Sequence, residues 1–236
     1  MTAKKLCLVW DLDDTLYQKS DIFKKANEKF KEVRRDFDPD QLDYQVFKRM
    51  SNLAYDRAAQ GDYSNQEMWR DRIQLAMKEI GIQISDEEAD HWQHLYSQSQ
   101  ATMSLSPKLE QVFYWLIDQG VPLGIITNGL SDRQWQKARY LDLGRWFSSN
   151  RIVVSGDIGI EKPDPRIFDY MKQIIGEDYD YWYIGDSYQH DIRGAHAAGW
   201  HSIWLNYHQQ DQADSQADLS VNDEGQLQAA IENLLK

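Results

Sequence analysis

The chain has 236 residues, of which 42% are hydrophobic and 12% aromatic. That is the composition of a folded protein, long enough to bury a core without a disulfide or metal staple. Its 38 acidic side chains against 26 basic ones give a formal net charge of -12, which repels phosphodiester backbones and argues against nucleic-acid binding.

Residues 6–10, Leu-Cys-Leu-Val-Trp, form an unbroken apolar run. The pattern predicts a strand buried on both faces, ending at Asp11. Over residues 17–104 the apolar spacing is helical. A first helix is predicted over about 21–35, with Ile22, Phe23, Ala26, Phe30 and Val33 on one side, and Asp38-Pro39-Asp40 breaks it. A second covers about 42–59 and stops near Gly61. Ser64 with Glu67, and Ser85 with Glu88, each read as a capping box. They open a third helix to about Ile80 and a fourth to about Gln100. Ser106-Pro107 starts another helix, with proline at its tolerated first position. Strands and helices then alternate: strands over 121–127, 152–155, 181–184 and 202–205, with helices after Ser131, after Pro165 and around 192–198. Residues 209–218 read as a polar loop, and 219–236 as a short strand and a closing helix. This alternation predicts an α/β fold with a mostly parallel sheet covered on both faces. Residues 1–16 and 105–236 would form that core, interrupted by an all-helical insert over 17–104.

The single cysteine, Cys7, rules out an intrachain disulfide and suits a reducing compartment. The first apolar run is shorter than the roughly 7–15 residues of a signal-peptide core, and nothing approaches the about 20 of a membrane span. The expectation is a soluble, cytoplasmic protein with no membrane partner.

Ligands of such sheets bind beyond the carboxyl ends of the strands, and four clusters fall there. Asp11-x-Asp13-x-Thr15 places two carboxylates two residues apart, which repel unless a cation or hydrogen bonds intervene. One can attack an electrophile while the other moves protons. Thr127-Asn128-Gly129 ends a second strand in a hydroxyl, an amide and a turn residue. Lys162-Pro163-Asp164-Pro165 holds a compact cation in a stiffened segment. Gly185-Asp186-Ser187, with Asp191, adds two carboxylates of the kind that bind Mg²⁺. Taken singly, each is also a turn, a helix cap or a surface lysine. Jointly they supply a nucleophile, an acid/base, anion donors and a metal site.

In this order and spacing the four clusters resemble the haloacid dehalogenase-like (HAD) hydrolase superfamily, in its phosphatase and nucleotidase branch. The likeness spans nearly the whole chain, and the helical insert looks like the family's type-one cap. The resemblance implies a Rossmann-like core. It also implies that Asp11 is a nucleophile forming an aspartyl-phosphate, and that Asp13 is the acid/base. Thr127, Lys162 and the Asn128 backbone would hold the phosphoryl group. Mg²⁺ would sit on Asp11, the Asp13 carbonyl and Asp186, with Asp191 supporting the metal waters or orienting Lys162. The family's dehalogenases and phosphonate-cleaving members lack a carboxylate at the position of Asp13, so the expected reaction is phosphate monoester hydrolysis. The expected partner is a small phosphorylated metabolite: a nucleoside 5′-monophosphate first, with a sugar phosphate, phosphoglycolate or transfer between sugars as alternatives.

Cap aromatics such as Phe23, Tyr55, Tyr63 and Trp69 could stack on a base, although packing inside the cap explains each better. The basic run on the first cap helix, Lys24 to Arg35, reads as a solvated face. His190, His196 and His201 lack the spacing of a zinc site and read as packing or surface residues.

Overall fold

The computed structural model describes residues 5–59, 61, 64–211 and 215–236. The chain divides into two compact units, Met1–Gln18 with Ser104–Lys236, and Lys19–Met103. Among the described residues no helix is long and apolar enough to cross a membrane.

The first unit is built on six parallel strands, β1 (Lys5–Trp10), β2 (Leu123–Thr127), β3 (Ile152–Val154), β4 (Tyr179–Gly185), β5 (His201–Leu205) and β6 (Leu219–Val221), in the order β3-β2-β1-β4-β5-β6. Helices cover both faces of the sheet. Strand β1 lies where the order reverses, with β2 and β3 on one side and β4, β5 and β6 on the other. That is the switch point at which open parallel sheets leave a crevice beyond the strand ends.

Alternation along β1 explains its unbroken apolar run. Cys7, Leu8, Val9 and Trp10 are all fully buried. Trp10 packs edge-on to Phe113 of the helix Pro107–Asp118, at 5.0 Å between ring centroids. Cys7 and Val9 join the opposite cluster with Ile167, Phe168 and Met171 of the helix Pro165–Ile175. Successive side chains leave opposite faces of a strand, so both sides of this one meet apolar helices.

Element ends differ from the sequence pattern in several places. Strand β2 begins at Leu123, because Pro122 has no N–H to give the ladder and contributes only its carbonyl, to Leu8 N at 3.0 Å. Ser155 opens a four-residue helical turn, Ser155–Ile158, rather than ending β3. The predicted helix around 192–198 starts earlier, as a π-helical turn over Tyr188–Ile192 that runs into a short helix, Arg193–Ala197.

The second unit holds α1 (Lys19–Val33), α2 (Tyr44–Ala59), α3 (Asn65–Glu79) and α4 (Asp86–Gln100). Both capping boxes form. Ser64 and Ser85 each accept from the backbone N–H three residues on, and Glu67 and Glu88 each accept in return from the serine N–H. The core of this unit is aromatic: Phe23 stacks on Phe47 at 4.8 Å, and Trp92 on Tyr96 at 5.3 Å. The Arg72 guanidinium lies 4.9 Å over the Tyr96 ring.

Candidate active site

The site forms at the carboxyl ends of β1, β2 and β4. The ladder of β4 carries β1 one residue further, through Asp11 N donating to the Ile184 carbonyl at 2.8 Å. The chain then turns through Asp14, which takes a left-handed conformation at φ 63°. Leu12 and Leu16 are buried pegs on either side of that turn. Asp11 and Asp13 are thereby held in place by buried neighbours rather than displayed on a loose loop.

Lys162 is the centre of the arrangement and is 2% exposed. Its Nζ donates to Asp11 Oδ1 at 2.6 Å, Asp191 Oδ1 at 2.7 Å and the Tyr183 hydroxyl at 2.8 Å, and lies 3.2 Å from the Ile126 carbonyl. Burial alone would lower its pKa, but Asp11 and Asp191 outweigh burial and hold the ammonium well above its ordinary value. Burial pushes the Asp11 carboxyl up to about 6; Lys162 opposes the shift and Asp191 adds to it. A buried cation between two acids is costly to leave incomplete, which fixes the relative places of all three.

The remaining residues organise this centre. The Asn128 side chain clamps the backbone of Lys162 at both groups: Nδ2 donates to its carbonyl and Oδ1 accepts from its N–H, each at 2.9 Å. The amide of Asn128 is thus a brace, and it is the backbone of this residue that the phosphate reading concerns. His190 Nδ1 lies 3.1 Å from the same Lys162 carbonyl. Asp191, 1% exposed, also accepts from Ser187 N at 2.9 Å. This close approach requires glycine at 185, where a Cβ would stand 2.4 Å from Asp191 Oδ2.

Carboxylate oxygens of Asp11, Asp186 and Asp191 lie within 4.8 Å of one another. An all-oxygen donor set of this span fits Mg²⁺, which prefers hard ligands at about 2.0–2.1 Å in an octahedron. Both oxygens of Asp191 already accept protein N–H groups, so Asp11 and Asp186 would be the better ligands and Asp191 the support.

Asp13 stands apart from this network. Its carboxylate accepts from Lys137 Nζ at 2.7 and 2.8 Å, from the Tyr17 hydroxyl at 2.5 Å, and more weakly from Gln134 Nε2 at 3.4 Å. Gln134 also donates to Thr127 Oγ1 at 2.5 Å and to the Asn128 carbonyl at 2.9 Å. A hydroxyl that accepts from Gln134 keeps its own hydrogen to give to an anion. Thr127 is 1% exposed.

The structure therefore brings together all seven residues singled out from sequence: Asp11, Asp13, Thr127, Asn128, Lys162, Asp186 and Asp191. It adds Gln134, Lys137, Tyr17 and Tyr183, none of which sequence reading found. The signals for them were weak but present. Gln134 and Lys137 lie three apart on the helix Ser131–Tyr140 that follows the Thr-Asn-Gly turn, and so share a face. Tyr183 shares its side of β4 with Gly185. His201 binds Asp218 at 2.8 Å at the amino end of β5, away from the site. Phe23 is buried in the core of its own helical unit, Tyr55 is exposed, and Tyr63 lies outside the described residues. Arg34 of the basic run pairs with Asp36 and Glu88.

Residues 6–199 match the family model described as haloacid dehalogenase-like hydrolase. Over 85 residues the chain is 39% identical to a glyceraldehyde 3-phosphate phosphatase of Methanopyrus kandleri, covering 36% of each protein. Over 92 residues it is 35% identical to a pyrimidine 5′-nucleotidase of Escherichia coli, covering 38% of this chain and 40% of that one. The chain thus spans well under half the length of these two relatives. Its fold is that of the magnesium-bound HAD-hydrolase YfnB of Bacillus subtilis, with a TM-score of 0.74, 21% identity, and 99% of this chain and 100% of that one covered.

Proposed function

This chain belongs to the haloacid dehalogenase-like hydrolase family, and we propose that it is a Mg²⁺-dependent phosphatase acting on a small phosphate monoester through an aspartyl-phosphate on Asp11. One observation carries the reading. Two carboxylates stand two residues apart with separate sets of donors: Asp11 on Lys162, and Asp13 on Lys137, Tyr17 and Gln134. Separate environments give paired acids separate roles. A dehalogenation has no leaving oxygen to protonate, so it does not call for the second carboxylate.

In the first step Asp13 enters protonated, an Asp11 oxygen attacks phosphorus, the bond to the leaving oxygen breaks, and Asp13 gives that oxygen its proton, becoming the carboxylate that Lys137 and Tyr17 meet. In the second step the Asp13 carboxylate takes a proton from water as the water attacks the same phosphorus. Inorganic phosphate leaves and the Asp11 carboxylate is restored. Thr127 and the Asn128 backbone N–H donate to phosphoryl oxygens, and Lys162 offsets the charge of the approaching carboxylate. Asp11, the Asp13 carbonyl and Asp186 are the groups that would hold Mg²⁺, whose contribution is neutralising charge on the phosphoryl oxygens.

The names of the relatives support a small phosphorylated metabolite, with a nucleoside 5′-monophosphate and a sugar phosphate as the leading classes. The single buried thiol, Cys7, suits a cytoplasmic setting. The test is phosphate release from a panel of nucleotides, triose and hexose phosphates, phosphoserine and phosphoglycolate. We expect turnover that needs Mg²⁺ and disappears in Asp11→Asn. Equal, background-level release from wild type and this variant across the panel would sink the proposal.

A further inference from the structure

The helix Ser131–Tyr140 belongs to none of the four sequence clusters, yet two of its side chains reach the reacting groups. Lys137 meets both oxygens of Asp13, at 2.7 and 2.8 Å, and the two side chains are only 14% and 17% exposed. Surface ion pairs contribute little because water and side-chain entropy compete with them. This pair is largely shielded and fixes the place of the carboxylate, while Tyr17 on Oδ1 and Gln134 on Oδ2 set its plane. One turn earlier, Gln134 is 2% exposed. Its amide joins Asp13 Oδ2, Thr127 Oγ1 and the Asn128 carbonyl. The group that would move the proton and the group that would bind the phosphoryl oxygens are thus referenced to one rigid helix.

We propose that Lys137, supported by Gln134, is a positioning residue that holds the Asp13 carboxylate in line with the leaving oxygen. The inference rests on the acid/base role of Asp13 given above. Buried neighbours hold the backbone at Asp13, while Tyr17 meets one oxygen of its carboxylate, Gln134 the other and Lys137 both. Proton delivery requires hydrogen-bond reach of the leaving oxygen, and a displacement of about 1 Å can cost on the order of 100-fold in rate. Lys137, with Tyr17 and Gln134, holds that geometry before substrate arrives. Its own proton is not transferred.

The experiment compares kcat/KM, which covers events through departure of the leaving group, for two substrates. One is an alkyl phosphate, whose alkoxide cannot leave without a proton. The other is 2,4-dinitrophenyl phosphate, whose phenolate leaves without one. In Lys137→Met we expect the alkyl ester to lose about 100-fold while the dinitrophenyl ester loses no more than about threefold. The ratio of the two substrates in one preparation is independent of how much of the variant is folded. Lys137→Arg should recover most of the loss. On an Asp13→Asn background, Lys137→Met should add nothing, as for two groups that act as a unit. An equal fall on both substrates, or no fall on either, overturns the role of Lys137 while leaving the phosphatase reading intact. A wild type inert towards both esters, and no different from Asp11→Asn, overturns both.

Discussion

Replacing Gly185 by alanine adds one methyl group at the point of closest packing in the site. The new Cβ would stand 2.4 Å from Asp191 Oδ2 and 2.5 Å from its Cγ. Ordinary carbon contacts lie near 3.5–4.0 Å, so the carboxylate must retreat by about 1 Å. Asp191 is fully buried, accepts from Lys162 Nζ and from Ser187 N, and has no solvent to retreat into. Overpacking a core typically costs about 1–3 kcal/mol. Breaking a buried ion pair by removing one partner costs about 3–5 kcal/mol. A stretched rather than severed pair falls between, at about 3 kcal/mol. For a chain of this size each kcal/mol moves Tm by about 2–4 °C, so Gly185→Ala should melt about 6–12 °C lower. Its activity should fall by at least about 100-fold, because Lys162 moves with Asp191. Gly144→Ala is the internal control: its Cβ meets nothing within 4 Å and its φ is not positive, so its Tm should stay close to wild type. Thermal melting by circular dichroism and phosphate-release assays on both variants decide the matter. A Gly185→Ala protein that melts within about 2 °C of wild type with unchanged activity would refute the reasoning, since ~3 kcal/mol cannot hide in so small a shift.

Other expectations follow from single contacts. Asn128→Ala removes both bonds to the Lys162 backbone; losing two neutral hydrogen bonds costs about 1–3 kcal/mol, and kcat should fall more than KM changes in steady-state kinetics. Tyr183→Phe deletes a hydroxyl that accepts from Lys162 and donates to the Ile126 carbonyl; urea titration should show a loss of about 1–3 kcal/mol. Burial pushes the Cys7 thiol up to about 12, with Arg151 opposing. The folded state therefore favours the neutral thiol, a preference complete below pH 9 and lost only as pH rises through about 12. Iodoacetamide should leave the native protein unmodified between pH 7 and 9 and label it in denaturant, as read by mass spectrometry. Ser85→Ala breaks a formed capping box and should lower stability by about 1 kcal/mol in denaturant titration, with the activity towards 2,4-dinitrophenyl phosphate unchanged.

The residues proposed to react were legible from sequence because they directly follow strongly patterned strands. Asp11 follows an apolar run that can only be a buried strand, and Asp186 follows another. The supporting groups were harder to see, for a physical reason. Gln134 and Lys137 are ordinary helix formers on a polar helix, and only the register of β2 against β1 brings them to Asp13. The resemblance gives a role only to the Asn128 backbone, and nothing local marks the 34-residue reach of its side chain to Lys162. The π-helical turn at Tyr188–Ile192 precedes the helix expected around 192–198, because an extra residue in a turn leaves no mark on apolar spacing. Capping boxes, by contrast, are local, and both formed where the sequence placed them.

The two sides of β1 are not equally tied down. Strand β4 pairs with β1 along its whole length, from Lys5 opposite Tyr179 to Trp10 opposite Ile184, whereas β2 pairs only from Leu8 to Trp10. Beyond β2, among the described residues, there is only three-residue β3, an edge of the sheet. Partial opening of a fold starts where the fewest buried pairings must be undone. Amide exchange in β2 and β3 should therefore run ahead of exchange in β1 and β4. The half of the site that carries Asp11, Asp186 and Asp191 would outlast the half that carries Thr127 and Gln134. A molecule caught in that partly opened form would keep the carboxylates proposed to hold the cation and would lose the proposed grip on the anion, so metal occupancy and substrate occupancy should be separable quantities in this protein.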